Sequence, residues 1–241
     1  GEAGGAGGPK GKGGECLFGP CGIAIRRTNP TDTAGAEEWA RSGAASVLDA
    51  ASIEDLLDAG TSVTSSTASA GSESGDITVA AGGGISSSYA LANLTLSAAN
   101  DISLNDAILL TGSGSSLKLY SSGTGTISLD GAASAPDYAL SANTVRLVID
   151  GAGSITQLAN GGINASNFGV DAGLSGVDLT LGTNRVGTLA ADVASIALQV
   201  NEGINLGSSY GSGLYIGTIG QLSGVQATGT INISNLGNVF V

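Results

Sequence analysis

From about residue 61 onward, apolar and polar positions alternate with a period of two. The runs are short and recur: Ile77-Thr78-Val79, Leu94-Thr95-Leu96, Ile102-Ser103-Leu104, Leu117-Lys118-Leu119, Ile127-Ser128-Leu129 and Val145-Arg146-Leu147. They continue through Val177-Asp178-Leu179, Ile196-Ala197-Leu198, Leu214-Tyr215-Ile216 and Ile231-Asn232-Ile233. Such alternation predicts strands with one buried face, and the Gly, Ser, Asn and Asp between runs predict turns. Before residue 61 the period changes. Ile53, Leu56 and Leu57 lie at i, i+3 and i+4, which predicts a short helix over 52–59. Ser52 with Asp55 reads as its capped start, with acidic residues in its first turn, and Gly60 reads as its stop.

The spacing of the runs separates a solenoid from a sandwich. Starts at 177, 196, 214 and 231 are evenly and closely spaced, with longer intervals elsewhere, as coils with insertions on one side would give. No Asn-Gly joins two close strands, and only 4% of residues are aromatic, so hairpins and a sandwich core are poorly served. The expected fold is all-β: a parallel β-helix of about seven to eight coils over 61–241. A short helical flank over 35–60 and a Gly-rich extended tail over 1–34 precede it. At about 4.8 Å per coil the rod would be about 35 Å long. The helix would cover the N-terminal edge. At the other edge Ile231, Ile233, Val239, Phe240 and Val241 lie in an uncharged apolar stretch, a candidate assembly edge or the start of further coils.

Composition narrows the function. The chain has 241 residues, 41 of them Gly, with no His and no Met. Eight Lys and Arg face 20 Asp and Glu, a formal charge of −12. The commonest general base and zinc ligand is therefore missing, and no basic stripe exists to track phosphates, so nucleic acid is not an expected partner. With 41% apolar residues the chain should fold. No run is long enough to span a bilayer and residues 1–14 lack a signal-peptide pattern, so membrane insertion is not expected. Cys16 and Cys21 enclose Leu-Phe-Gly-Pro; a disulfide suiting an oxidising compartment is expected, with free thiols as the alternative.

Several phrases carry a family resemblance. Ser52-Ile53-Glu54-Asp55-Leu56-Leu57-Asp58-Ala59-Gly60-Thr61-Ser62-Val63-Thr64 is followed by Ser74-Gly75-Asp76-Ile77-Thr78-Val79. Then come Asn93-Leu94-Thr95-Leu96-Ser97-Ala98-Ala99-Asn100-Asp101-Ile102 and Val186-Gly187-Thr188-Leu189-Ala190-Ala191-Asp192-Val193. Over about 50–240 the chain resembles the repeat region of bacterial filamentous-haemagglutinin-like exoproteins, the passengers of two-partner secretion. The resemblance implies a right-handed parallel β-helix, export across a Gram-negative envelope, and display or release as an adhesin. It does not extend to those passengers' amino-terminal secretion domain, of which Asn29-Pro30-Thr31 is a faint echo.

Candidate chemistry is sparse. Asp130, Asp137, Asp150, Asp171 and Asp178 are the carboxylates a carbohydrate enzyme would draw on, and such an enzyme would need two of them facing one groove. A lyase would also want a base, yet beyond residue 60 only Lys118, Arg146 and Arg185 are basic. Several sit beside Gly, as Asp130-Gly131 and Asp150-Gly151 do, where turn chemistry explains them, so no catalytic residue, cofactor or metal is assigned. Asn93, Asn164 and Asn232 head Asn-x-Ser/Thr triplets and are candidate glycosylation sites. Tyr89, Tyr120, Tyr138, Tyr210 and Tyr215 could stack on sugars or pack in the interior. Binding is expected on the long face and on loops around 130–143 and 158–176. The expectation is a non-enzymatic exported surface module that mediates attachment or forms a rod, secreted or held at the cell surface. Its partners would be a host-cell glycan or protein receptor. The alternative is a structural subunit docking end-on in an envelope assembly or filament, self-associating through its coil edges.

Overall fold

The computed structural model describes residues 22–27, 41–42, 45–67, 74–131, 138–181, 183–200, 202–203 and 213–241. They form a parallel β-solenoid of about seven turns with one short helix. Each turn crosses three sheets, called here faces A, B and C. Face A climbs from Val63–Ser66 through Asn93–Ala98 and Ser116–Gly123; face B from Gly22–Arg26 through Ile77–Val79, Ile102–Leu104, Thr126–Leu129 and Ser154–Gln157. Face C begins with Ile85–Ser87 and Ile108–Leu110. Three longer strands, Leu140–Gly151, Ile163–Leu179 and Asn184–Val200, bend round the corners and serve two or three faces each. All these pairings are parallel.

The alternation dictates this arrangement, because each strand turns one set of side chains inward and a single turn cannot bury them alone. On face B, Ile23, Ile77, Ile102, Ile127, Ile155, Val177, Ile196 and Ile231 stand in one column. All but Ile231 are buried. Face A stacks Val63, Leu94, Leu117, Val145, Phe168 and Leu189, and face C stacks Ile85, Ile108, Leu140 and Ile163. Each buried side chain of this size is worth about 1.5–3 kcal/mol.

Where the face C column ends, Asn184 takes the next position above Ile163. It is wholly buried, and so is Gln157. The Gln157 amide donates to Asn184 Oδ1 (2.7 Å) and to the Gly161 carbonyl (2.8 Å). Asn184 Nδ2 donates to the carbonyls of Leu179 (2.8 Å) and Gln199 (2.9 Å), and its Oδ1 accepts the Ile163 N–H (3.2 Å). This pair holds the corner between faces B and C where backbone groups would otherwise be orphaned.

Carboxylates hold the corner between faces A and B. Asp76 Oδ1 accepts the Asp101 N–H (3.1 Å) and the Asn100 amide (2.8 Å), one turn up; Asp101 Oδ1 in turn accepts the Thr126 N–H (2.6 Å). Burial pushes the Asp76 carboxyl up, but hydrogen bonds from Ser74, the Asp101 N–H and Asn100 outweigh it, and the group titrates below its ordinary 3.8.

The N-terminal end differs from the expected helical flank. Ala45–Asp49 is a strand, paired in parallel with Gly22–Arg26 and antiparallel with Arg41–Ser42. Pairing across the fold overrides local helical preference there. The helix runs Ala50–Asp58, and its cap is Asp49, which accepts the Ser52 N–H at 3.1 Å, rather than Ser52 itself. Glu54 and Asp55 consequently fall beyond its first turn. Gly60 ends it, with φ +80. The expected tail over 1–34 also contributes to the solenoid, since Gly22–Arg26 is the face B strand beneath Ile77–Val79.

Turn length differs too. Ile77 lies directly under Ile102, and Leu94 under Leu117, so a full turn is longer than the closest spacing of the runs suggests. On face B only the step from Val177 to Ile196 is as short as expected. Leu214 stands on another face from Ile196 and Ile231. Of the expected loop over 158–176, residues 158–162 form a turn and the rest lies in the strand Ile163–Leu179, whose register against Asn184–Val200 shifts between Ala172 and Gly176 and leaves Leu174 exposed. In the other expected loop, 130–143, residues 132–137 lie outside the described residues. Cys16 and Cys21 do as well.

Two outcomes are expected. Asn184→Leu leaves the Leu179 and Gln199 carbonyls and the Gln157 amide without their partner, and urea unfolding should read a loss of about 2–4 kcal/mol. Asp76 has a lower pKa folded than unfolded, so its stabilisation is present above the unfolded value and is lost as pH falls through the folded one. Between about pH 6 and about pH 3 the urea midpoint of Asp76→Asn should therefore fall less than that of the parent.

Candidate functional site

A groove opens at the corner between faces C and A, and a change in corner length creates it. The first two corners there are five residues long, Ser88–Ala92 and Thr111–Ser115, lying between Ile85–Ser87 and Asn93–Ala98 and between Ile108–Leu110 and Ser116–Gly123. They stack closely. The Gly114 N–H donates to the Ala90 carbonyl at 2.7 Å, and a Cβ at Gly112 would stand 1.9 Å from the Tyr89 carbonyl oxygen, so only Gly fits. Above them the corner shrinks to a single residue per turn. Ala142, Ala165 and Val186 are in register, as are Thr144, Asn167 and Thr188, leaving Asn143, Ser166 and Gly187 as the bends.

Ser115 joins the two corner types. Its buried hydroxyl donates to the Leu110 carbonyl at 2.7 Å, closing its own loop, and accepts the Asn143 N–H at 3.0 Å from the turn above. Beside this step, where the five-residue corner gives way to the one-residue corners above it, lies an open cavity of about 260 Å³. Thr111, Gly112 and Ser113 form its wall. Ser141, Asn143, Asn164 and Ser166 form its floor, and Arg185 stands at its far end. The Asn164 amide donates to Ser141 Oγ at 3.0 Å. Among the described residues that line it there is no Asp or Glu, and Arg185 stands in register with Glu202 on the neighbouring strand. The lining otherwise presents hydroxyls and amides, groups that both donate and accept.

The sequence-predicted residues are scattered over the rod. Asp150 and Asp171 stand on the outer side of face A, whereas Asp178 stands on face B and accepts from the Thr180 hydroxyl (2.7 Å) and N–H (3.2 Å) as a turn residue. Asp150, Asp171 and Asp178 thus do not converge. Asp171 lies 3.9 Å from Arg146, Asp130 sits at a corner of its own, and Asp137 is outside the described residues. Asp150 accepts the Tyr120 hydroxyl at 2.8 Å, and that bond, with burial and the carboxylate charge, raises the Tyr120 pKa above 10.0. Among the described residues no three His, Cys, Asp or Glu gather to hold a metal.

Of the tyrosines, Tyr89 sits partly exposed at the corner below the groove, Tyr215 stacks on Phe240 with centroids 4.7 Å apart, and Tyr138 is partly buried. Tyr210 lies outside the described residues. They form no single row. Asn93 and Asn232 are exposed on outer faces, but Asn164 is held by Ser141 in the groove floor. At the C-terminal end Ile231 and Val239 are about half exposed and Val241 fully so, with Ile233 and Phe240 partly covered. Residues 213–241 contain no charged side chain.

Sequence reasoning missed two features. One is the groove, whose signal is the change from a Gly-Ser-rich corner at 111–115 to an uninterrupted run at 140–151. The other is a hairpin, Thr218–Ile219 with Leu222–Ser223, turned by Gly220-Gln221 instead of Asn-Gly. It leaves the face A rung at Gly217, rejoins it at Gly224, and lays Ile219 and Leu222 on Ala190.

No protein-family model matches the chain, and no curated protein and no solved structure matches it either. Among the described residues no helix is long and apolar enough to cross a membrane.

Removing the Asp150 carboxylate should return Tyr120 toward its ordinary titration. In ultraviolet-monitored alkaline titration, Asp150→Asn is expected to lower the midpoint of that one tyrosine.

Proposed function

We propose that the chain is a non-enzymatic rod module of an exported, adhesin-like bacterial surface protein of the filamentous-haemagglutinin type, holding an attachment surface away from its anchor. The observation that carries the reading is the unbroken interior column from Ile23 to Ile196, which makes the turns one stiff body. Rigidity along one axis with a polar, small-residue exterior is what a spacer or display module needs. The resemblance in repeat phrases supports export to the outside of a Gram-negative envelope.

A second reading, end-on docking in a larger assembly, is favoured by one observation. Ile231, Leu236, Val239 and Val241 are exposed, and no charged side chain stands among residues 231–241 to repel a partner. Natural edges are usually blunted by such charges.

Beads coated with the folded chain should be retained on a host-cell layer, and beads coated with heat-unfolded chain should not; equal retention defeats the attachment reading. In light scattering the rod module is expected to keep the mass of a monomer across concentrations. A mass rising to a defined oligomer or filament favours end-on assembly instead.

A further inference from the structure

From Ile77 upward on face B each circuit of the chain rises one rung, so that Ile102 stands on Ile77, Ile127 on Ile102 and Ile155 on Ile127. The circuit from Ala45–Asp49 through the helix and Val63–Ser66 to Ile77–Val79 rises two. The rung left between them is filled by Gly22–Arg26, paired in parallel with Ala45–Asp49 on one side and with Ile77–Val79 on the other. This strand lies outside the path of the circuit it completes.

Its seat is specific. Ile23 and Ile25 are buried beneath Ile77 and Val79, and Ile25 stands on the buried Leu48. The Ile23 N–H donates to the Asp76 carbonyl (2.7 Å), and the Ile25 carbonyl accepts the Ala80 N–H (2.9 Å). A Cβ at Gly83 would stand 2.4 Å from the Ile25 carbonyl oxygen, so only Gly lets the next corner close over the strand. Arg27 then donates to Glu54 on the helix and to the Gly84 carbonyl (3.2 Å). These partners all lie within residues 45–84. The seat therefore reads a segment, Gly-Ile-Ala-Ile-Arg-Arg, and not the copy that supplies it.

We propose that this rung is a strand-acceptor site that takes residues 22–27 of a second copy, so that two copies folding side by side exchange strands. The exchanged pair makes the same strand contacts as a single copy, which leaves the entropy of association as the main cost. Two features favour a second copy as donor. The strand is joined to Arg41–Ser42, two rungs or about 10 Å below it, by residues 28–40. Such a connection can span at most about 45 Å, enough to reach a neighbour. Charge divides at the same place. Residues 1–27 hold four Lys and Arg against two Glu, whereas residues 28–241 hold four against 18 Asp and Glu. The strand thus belongs to the basic part of an acidic chain, and each copy's acidic remainder attracts the other's N-terminal segment. Releasing a seated strand opens the interior column, so a folded copy keeps the strand it holds and its mass does not change with concentration. Exchange belongs to folding. The proposal goes beyond the attachment reading and does not rest on it.

The test uses full-length chains in which Cys16→Ser and Cys21→Ser leave only introduced thiols. Ala24 and Thr78 are register partners on the outer side of face B, within reach of a disulfide. Ser128 stands three rungs above Ala24, about 14 Å away and out of reach. Chains carrying Ala24→Cys alone are unfolded with chains carrying Thr78→Cys alone, refolded together over a range of concentrations, and oxidised. An affinity tag on one partner separates mixed dimers from like ones. Mixed dimers bridged 24 to 78 are expected to rise with refolding concentration and to exceed those of Ala24→Cys with Ser128→Cys at least about tenfold. Circular dichroism confirms that each variant folds, and the double variant Ala24→Cys/Thr78→Cys should close its disulfide within a monomer when refolded dilute. Closure only within monomers at every concentration overturns the proposal, as does a mixed 24–78 yield no greater than the 24–128 yield. An oligomer seen by light scattering without a 24–78 bridge also overturns it and leaves end-on docking standing.

Discussion

Vertical contact between like side chains in successive turns is the interaction on which everything else in this molecule rests. One turn offers two or three inward residues per face, too few to exclude water. Placed on the next turn in parallel register, Ile77 on Ile102 on Ile127 becomes part of a continuous apolar column. A register slip of one residue would bring Thr78, Ser103 or Ser128 inward, so burial alone fixes the pairing. The narrow interior leaves room for aliphatic side chains and little else. Phe168, seated between Val145 and Leu189, is a buried aromatic exception, and Asn184 and Gln157 are buried amide ones.

Corners then become the place where polar chemistry is spent. The backbone leaves the sheet there, and its N–H and C=O groups need partners. Asp76 and Asp101, Gln157 with Asn184, and Ser115 each meet that need by a different route, and each bonds to a neighbouring turn or loop. Corner geometry also shapes the exterior, since the groove exists only because a five-residue corner lies beneath one-residue corners.

The strands themselves are legible in the sequence, because alternation with a period of two is a direct record of one buried face. The parallel solenoid follows from that and from the lack of hairpin signals. What spacing cannot supply is face membership. Ile77 and Leu94 read as members of successive coils but occupy different faces, for the corner at 80–84 and the short strand Ile85–Ser87 lie between them. The segment before the helix escapes the sequence reading for a different reason. Ala45–Asp49 is a strand by virtue of Gly22–Arg26, a partner distant along the chain, and local propensity knows nothing of it. Turn chemistry accounts for Asp178 as expected, whereas the groove carries no motif at all.

Face C opens on a helix and not on a strand. At the start, the helix Ala50–Asp58 lies against Ile85–Ser87 in place of a missing strand, with Ile53 and Leu57 buried. Glu54 accepts the Ser86 N–H at 2.7 Å, Asp58 accepts the Ser87 hydroxyl at 2.6 Å, and Arg27 donates to the Gly84 carbonyl at 3.2 Å. Side chains thus satisfy the first rung of face C. A helix can therefore stand in for a strand: two carboxylates and a guanidinium bond groups along Gly84–Ser87 that would otherwise have no partner on that side, while Ile53 and Leu57 close the apolar interior beneath them.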